Sequence, residues 1–325
     1  MKRVKKILVS GCAGFIGART CALLLHKGFA VVGIDNLNTA YDRRLKFYRL
    51  KALKKDPSFT FIKADIEDLA ALKKVFKKNG FKAVINLAAR AGVRYSTEDP
   101  FVYVRTNVLG CLNLLECART HGVKKFVIAS TSSLYASKNG PFQEWKTPEK
   151  PLSPYAASKK GAEALCQSYA HLYNFDLTVL RYFTVYGPAG RPDMSPFRFI
   201  HWILRGQRVQ LTGDGRQSRD FTYVDDIARG TLNALNLSGF NLVNLGGHKP
   251  HSMNNLIRLI EKHTEKKARI KRLRTHRADA QTTWADISQA RKKMGWAPRV
   301  GLEEGLKRTI AWHRKEERWL NQITL

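Results

Sequence analysis

The chain has 325 residues, enough for a large core and for two domains or one domain with a lobe. Its hydrophobic content of 44% is that of a globular protein, and no apolar run approaches the roughly 18 residues that span a bilayer. The net charge of +31 steers anionic ligands, but aromatic residues do not interleave with the basic runs at 43–55, 73–82 and 266–277 as they do on a nucleic-acid stacking surface. Nucleic acid is therefore not the expected partner, and the basic runs read as solvated helix faces. The five cysteines are scattered, without a C-x-x-C pair; Cys117 and His121 are four apart, but no second ligand pair answers them. A reducing, cytoplasmic compartment and no metal site are expected.

In chain order, the N-terminus imitates a signal peptide, with a basic start followed by Ile7-Leu8-Val9. Gly11, Gly14 and Gly17 interrupt the apolar stretch, so a buried strand entering a glycine turn fits better. Strands are predicted at Lys5–Ser10, Ala30–Asp35, Thr60–Lys63, Ala83–Leu87, Lys125–Ser130 and Leu177–Arg181. Helices are predicted near 15–26, 42–54, 67–79, 100–121 and 155–173. This alternation predicts an α/β fold, a doubly wound parallel Rossmann-type sheet. Apolar runs such as Phe126-Val127-Ile128-Ala129 suit strands covered on both faces. Helical periodicity returns near 195–206, 225–236, 252–263, 286–293 and 302–318, with short strands at Val209–Leu211, Leu242–Leu245 and Ala268–Lys271. That half reads as a smaller α/β substrate-binding lobe, with Leu242–Leu245 returning to the main sheet.

Gly11-Cys12-Ala13-Gly14-Phe15-Ile16-Gly17 follows the first strand and opens a helix. The glycines permit a tight turn, a close backbone approach to a pyrophosphate, and close helix–sheet packing. The helix start, with Phe15 and Ile16, offers N–H groups to phosphates. Asp35 ends the second strand, with Asn36 and Asn38 beyond it; a carboxylate there binds adenosine ribose hydroxyls and repels a 2′-phosphate, which favours NAD over NADP. Asp65 and Ile66 could meet the adenine, and Leu87, Ala88 and Ala89 could line the channel.

Tyr155 and Lys159 lie four apart and share one helix face. An ammonium beside a phenol favours the phenolate, lowering its pKa from about 10. Thr131, Ser132 and Ser133 end the fifth strand. Such hydroxyls serve caps and turns as readily as chemistry, but beside Tyr155 they can hold a substrate alcohol in line.

Together these features resemble the extended short-chain dehydrogenase/reductase family over essentially the whole chain. Within it, Asp35-Asn36-Leu37-Asn38 with Tyr41-Asp42 and Leu45-Lys46, the stretch from Ala88 to Ser96, and the stretch from Arg181 to Met194 are similar to nucleotide-sugar 4-epimerases, most closely UDP-glucuronate 4-epimerases. The resemblance implies that Tyr155 takes the proton from the sugar 4-hydroxyl while hydride passes from C4 to bound NAD and later returns to the other face. Lys159 would hold the nicotinamide ribose. Arg191 and Thr184 would hold the sugar carboxylate, Arg219 and after it Arg277 the diphosphate, and Asp279 the uridine ribose. Asn107 is counted with the cofactor-binding residues. Residues 1–183 with about 220–246 would form the NAD-binding domain, and 184–219 with 247–325 the nucleotide-sugar lobe. A homodimer through helices near 100–121 and 155–173 is implied as well.

The chain departs from the family pattern at Asn86, where histidine is usual, at Ala136, where glycine is usual, and at 276–279, which lacks Pro-Gly. Leu211-Thr212-Gly213-Asp214-Gly215 is closer to the UDP-glucose epimerases. The competing readings are a UDP-glucose/UDP-galactose 4-epimerase, a UDP-glucuronate decarboxylase, and a non-catalytic NAD-sensing or RNA-binding module.

Overall fold

The computed structural model describes residues 5–135, 140–275 and 280–325. Its strands are β1 (Lys6–Ser10), β2 (Ala30–Asp35), β3 (Phe59–Lys63), β4 (Ala83–Asn86), β5 (Lys125–Thr131), β6 (Asp176–Tyr182), β7 (Thr184–Tyr186), β8 (Arg208–Thr212), β9 (Ser218–Tyr223), β10 (Phe240–Leu245), β11 (Pro250–Ser252) and β12 (Arg269–Leu273). Among the described residues the main sheet has seven strands in the order β10-β6-β5-β4-β1-β2-β3, every neighbouring pair parallel. The order reverses direction beside β1, which opens a crevice at the carboxyl ends of β1 and β4, where ligands bind in such sheets.

Alternation along each strand feeds two cores. Ile7 and Val9 of β1 join one apolar cluster and Leu8 joins the other; on β5, Val127 joins the first and Phe126 and Ile128 the second. All six are at most 2% exposed. Each contributes about 1.5–3 kcal/mol by leaving water. Polar-out alternation is absent because helices cover both faces.

The remaining strands form a sheet ordered β11-β9-β7 and a parallel pair β12-β8. A third apolar cluster, including Phe199, Ile203, Leu256, Ile260, Leu306 and Ile310, packs beside them. The expected return of Leu242–Leu245 to the main sheet is met by β10, which pairs with β6. Strands β7, β9 and β11 are not among the sequence expectations. β7 and β11 have only three residues each, and β9 buries Asp220, Phe221, Thr222 and Tyr223 in a row, so none shows a strand-like period.

The helix expected at 100–121 is interrupted. Pro100–Tyr103 and Gly110–Thr120 are α-helical, and a π-turn, Val104–Leu109, joins them. Such turns bring an extra residue onto one face. Here Thr106 bonds Glu67 and Asn107 bonds Arg90, while Gly110 lies so close to Ile66 that a Cβ would stand 2.5 Å from its Cδ1. The predicted 302–318 helix ends at Lys315, and Glu317–Leu320 forms a separate turn.

Candidate active site

The crevice holds a cavity of about 350 Å3. At one end, the β1 strand turns through Gly11 (φ +71°) into the Phe15–His26 helix. A Cβ on Gly17 would stand 2.0 Å from the Gly11 carbonyl oxygen, and one on Gly11 would stand 2.7 Å from the Ala88 nitrogen. Gly14 begins the helix without a side-chain cap. The helix start therefore presents its N–H groups and positive end to the cavity, which Gly11, Gly14, Phe15, Ile16 and Gly17 all line.

Asp35 closes β2, buried and fixed by Ala13 N–H (3.1 Å) and Leu37 N–H (2.8 Å). Lys46 Nζ lies 3.6 Å from its Oδ1 and donates to Asn38 Oδ1 at 3.0 Å. Burial pulls the Lys46 pKa down, and Asp35 opposes that shift. Asn36 donates to Asp65 (2.7 Å). Asn36, Asn38, Asp65, Ile66, Leu87, Ala88 and Ala89 line the same end. Asn107 does not; it lies behind the wall, holding Arg90 N–H (2.9 Å), Arg90 C=O (3.0 Å) and Ser158 Oγ (2.9 Å). Its place is in shaping that wall. A glycine cradle, an uncapped helix start and a buried acid at the second strand end together fit a dinucleotide.

The other end is catalytic in character. Ser153 caps the Pro154–Tyr173 helix through its Oγ to Ala156 N–H (3.2 Å), with Pro154 in the first turn. That places Tyr155 at the helix start and Lys159 one turn on, buried. Lys159 Nζ donates to Ala129 C=O at 2.9 Å. Thr131 Oγ1 caps Ser133 N–H at 3.1 Å and bonds Ser133 Oγ. Thr131, Ser132, Ser133, Tyr155 and Lys159 all line the cavity.

The expected fall of the Tyr155 pKa is not met in the protein alone. Burial raises it, while a hydrogen bond from Thr131 and the Arg191 charge pull it back. Lys159 itself is pushed down to about 8 by burial, with Glu163 opposing that shift. Desolvation outweighs the Thr131 hydrogen bond and the Arg191 charge, while the Lys159 ammonium is turned to the Ala129 carbonyl.

Thr184 and Arg191 line this end. Arg191 is held by Asp193, which accepts from Nε (3.0 Å) and Nη2 (2.5 Å), and Nη2 also reaches Ala91 C=O (3.2 Å). Arg219 lies outside the cavity wall on β9, donating to Ser218 C=O at 2.7 Å. Arg277 and Asp279, like Ala136, fall outside the described residues.

Sequence reasoning gave no site role to Tyr41, Lys46, Arg49 or Asp193, although all but Arg49 lie in stretches that carry the family resemblance. The basic run at 43–55, read as a solvated face, is partly buried: Lys46 and Arg49 are each 5% exposed. Arg49 binds Tyr41 OH (2.8 Å) and the carbonyls of Ala13, Ala189 and Gly190 (2.7–3.1 Å), tying the glycine turn to the loop that carries Arg191. The signal was their three-residue spacing beside Leu45, Leu50 and Leu53, which places them on the buried face.

This arrangement defines a Rossmann-type dinucleotide-binding protein with a tyrosine, a lysine and strand-end hydroxyls on one cavity wall. The chain belongs to the family described as GDP-mannose 4,6 dehydratase, whose model matches residues 8–309; the family is of the extended short-chain dehydrogenase/reductase type. The chain is 54% identical to a UDP-glucuronate 4-epimerase of Thermodesulfobacterium geofontis over 97% of this chain and 98% of that one. Among solved structures, it is similar to the Bacillus cereus UDP-glucuronic acid 4-epimerase in complex with UDP-glucuronic acid and NAD (TM-score 0.90, 38% identity, 95% of this chain and 99% of that one). It is also similar to a Thermotoga maritima UDP-glucose 4-epimerase with UDP-glucose (TM-score 0.89, 32% identity, 96% and 99% covered).

Proposed function

We propose that the protein is an NAD-dependent epimerase acting at C4 of a UDP-sugar, converting UDP-glucuronate to UDP-galacturonate. The observation that carries this reading is that one continuous cavity contains the glycine turn, Asp35, the Tyr155–Lys159 pair and Arg191. Bound NAD supplies a hydride acceptor and donor, so that the sugar passes through a 4-keto stage.

Tyr155 takes the 4-hydroxyl proton and later returns it. Thr131 holds the phenol in line and, with the Arg191 charge, offsets part of the effect of burial. Lys159, anchored to the Ala129 carbonyl, keeps an ammonium one turn from the phenol. Asp35 and Asn38 serve the adenosine ribose, with Lys46 closing that end. Asn107 acts at one remove, by fixing Arg90.

A 4-keto glucuronate is a β-keto acid and loses CO2 if its carboxylate aligns with the carbonyl. A guanidinium holds a carboxylate in a fixed plane better than an ammonium does. Arg191 fills that role beside Thr184; Asp193 engages Nε and Nη2, leaving Nη1 for the substrate. Arg219 binds the diphosphate after turning from the Ser218 carbonyl, with Arg277 and Asp279 completing the nucleotide site. Residues 1–183 with about 220–246 carry the cofactor, and 184–219 with 247–325 the nucleotide sugar.

The protein works as a cytoplasmic homodimer. Phe101, Val104, Leu109 and Leu172 are exposed apolar side chains on the two helices expected to pair. All five cysteines are buried and free, as suits a reducing compartment. Among the described residues, no helix is long and apolar enough to cross a membrane.

Purified protein is to be incubated separately with UDP-glucuronate and UDP-glucose, with product analysis and a search for NAD released on denaturation. UDP-galacturonate and bound NAD are expected. The residue pattern at Leu211–Gly215 favours UDP-glucose instead; interconversion of UDP-glucose and UDP-galactose without action on UDP-glucuronate overturns the substrate assignment. UDP-xylose and CO2 as main products identify a decarboxylase. Salt-sensitive RNA binding with no turnover of any UDP-sugar identifies a non-catalytic module.

A further inference from the structure

Behind the catalytic wall lies a charged cluster whose centre, Glu163 and Arg181, is buried. Glu163, one turn past Lys159, accepts from Ser130 Oγ at 2.5 Å and from Arg181 Nε and Nη2 at 2.9 and 2.6 Å. Arg181 is 0% exposed and Glu163 5%. Arg181 also pairs with Glu149, which pairs in turn with Lys160. The Arg181 guanidinium lies 4.9 Å from the centre of the Tyr135 ring.

A buried pair is a weak source of stability, because desolvation of both ions cancels most of their attraction. Its position is informative instead. Ser130 directly precedes Thr131, Glu163 shares a helix face with Lys159, and Arg181 leads into Tyr182, Phe183 and Thr184, which line the cavity. Three elements that carry the reacting groups therefore meet at one carboxylate. Glu163 and Arg181 do not line the cavity themselves.

We propose that Glu163 is a positioning residue: through Ser130 and Arg181 it fixes Thr131 and Lys159 relative to Tyr155. The proposal rests on the reading of Tyr155 as the proton-transfer group. The groups acting on Lys159 are Cys111 from the Gly110–Thr120 helix and Glu163 and Cys166 from its own helix. Those around Tyr155 are Tyr103, whose ring centre lies 6.1 Å away, and Arg191 from the loop. Loss of the Glu163 charge removes the one carboxylate that holds Lys159 protonated, so the ammonium is lost at lower pH. A slackened Ser130 lets Thr131 drift, so the Tyr155 phenolate forms at higher pH. Both shifts lower the fraction of the protein that carries the phenolate and the ammonium together.

The test compares Glu163→Gln with the double variant Glu163→Leu/Arg181→Met in the NAD-loaded protein. Melting temperature, kcat, KM and the pH dependence of both are read with UDP-glucuronate. Independently of any substrate, Tyr155 ionisation is followed as the phenolate absorbance lost on adding Tyr155→Phe to each background. The expected result is a fall in kcat on the order of 10²-fold with KM little changed. The peak of the pH profile should fall and its limbs should shift, and Tyr155 should ionise about half a pH unit or more higher. The double variant, which removes both members of the buried Glu163–Arg181 pair, should melt near wild type yet keep the lowered and shifted pH profile. A wild-type bell and wild-type phenolate titration in the double variant overturn the proposal, as does a fall in kcat that follows the melting temperature with both limbs unmoved. If Glu163→Gln fails to fold, the double variant decides alone. If wild type leaves UDP-glucuronate unchanged while the phenolate titration shifts, the substrate assignment fails and the positioning role stands; an unshifted titration removes the positioning role whatever the substrate.

Discussion

The two ends of the cavity are built from different material. At the cofactor end, the ligand-facing groups are backbone: a glycine turn, a helix start and strand ends, where a single Cβ at Gly17 would stand 2.0 Å from a carbonyl oxygen. At the other end they are side chains from strand ends, a helix and a loop, some held by other side chains, as Asp193 holds Arg191. Backbone geometry leaves a spaced motif in the sequence. Side-chain geometry leaves single residues whose partners are distant in the chain. The cofactor end should therefore tolerate almost no change at its glycines, whereas the sugar end should trade specificity by degrees.

The largest effect expected is at the junction of the two ends. Tyr155→Phe should fold, retain NAD and lose about 10²–10⁴-fold in kcat. Turnover near wild type would remove Tyr155 from the centre of the account. Next, Gly17→Ala should abolish copurified NAD and destabilise the fold by about 3 kcal/mol, because the clash is with backbone and not with a flexible side chain. Calorimetry and cofactor release on denaturation check both. A stable variant with full NAD content would break the contrast drawn here.

At the sugar end, Arg191→Lys should keep NAD but raise KM for UDP-glucuronate about tenfold, with some UDP-xylose appearing, because an ammonium fixes the carboxylate less well. Steady-state kinetics with product analysis reads this. An unchanged KM and clean product would assign carboxylate binding elsewhere.

The smallest effect lies far from the chemistry. His201 is buried beside Phe197, and His313 is buried against Phe197 and Trp312; burial lowers both pKa values, that of His201 to about 4. Unfolded, they take up protons near the ordinary pKa of about 6.5. Folding therefore excludes protons, so their contribution to stability is full above about 6.5 and falls as pH drops toward 4. Melting curves across that range should show the loss, and His313→Phe should flatten it. An unchanged slope would show that other groups set the acid limit.

This contrast also explains what could be read from the chain itself. Glycine spacing, Asp35 and the Tyr155–Lys159 pair were legible because each is dictated by local geometry: a turn, a strand end, one helix face. Lys46 and Arg49 were concealed within a basic run whose charge suggested solvent, although Leu45, Leu50 and Leu53 marked the buried side. Glu163 was not singled out, because its partners Ser130 and Arg181 come from two other strands. The depressed Tyr155 pKa was expected from one neighbouring charge, whereas burial dominates. Short strands β7, β9 and β11 exist through pairing with one another and carry no period of their own.

The most direct test of the central claim uses UDP-glucuronate labelled with deuterium at C4 and protein with no added NAD. Transient oxidation by a retained cofactor predicts UDP-galacturonate with the deuterium still at C4. Deuterium lost to solvent, or no turnover until free NAD is supplied, would contradict it.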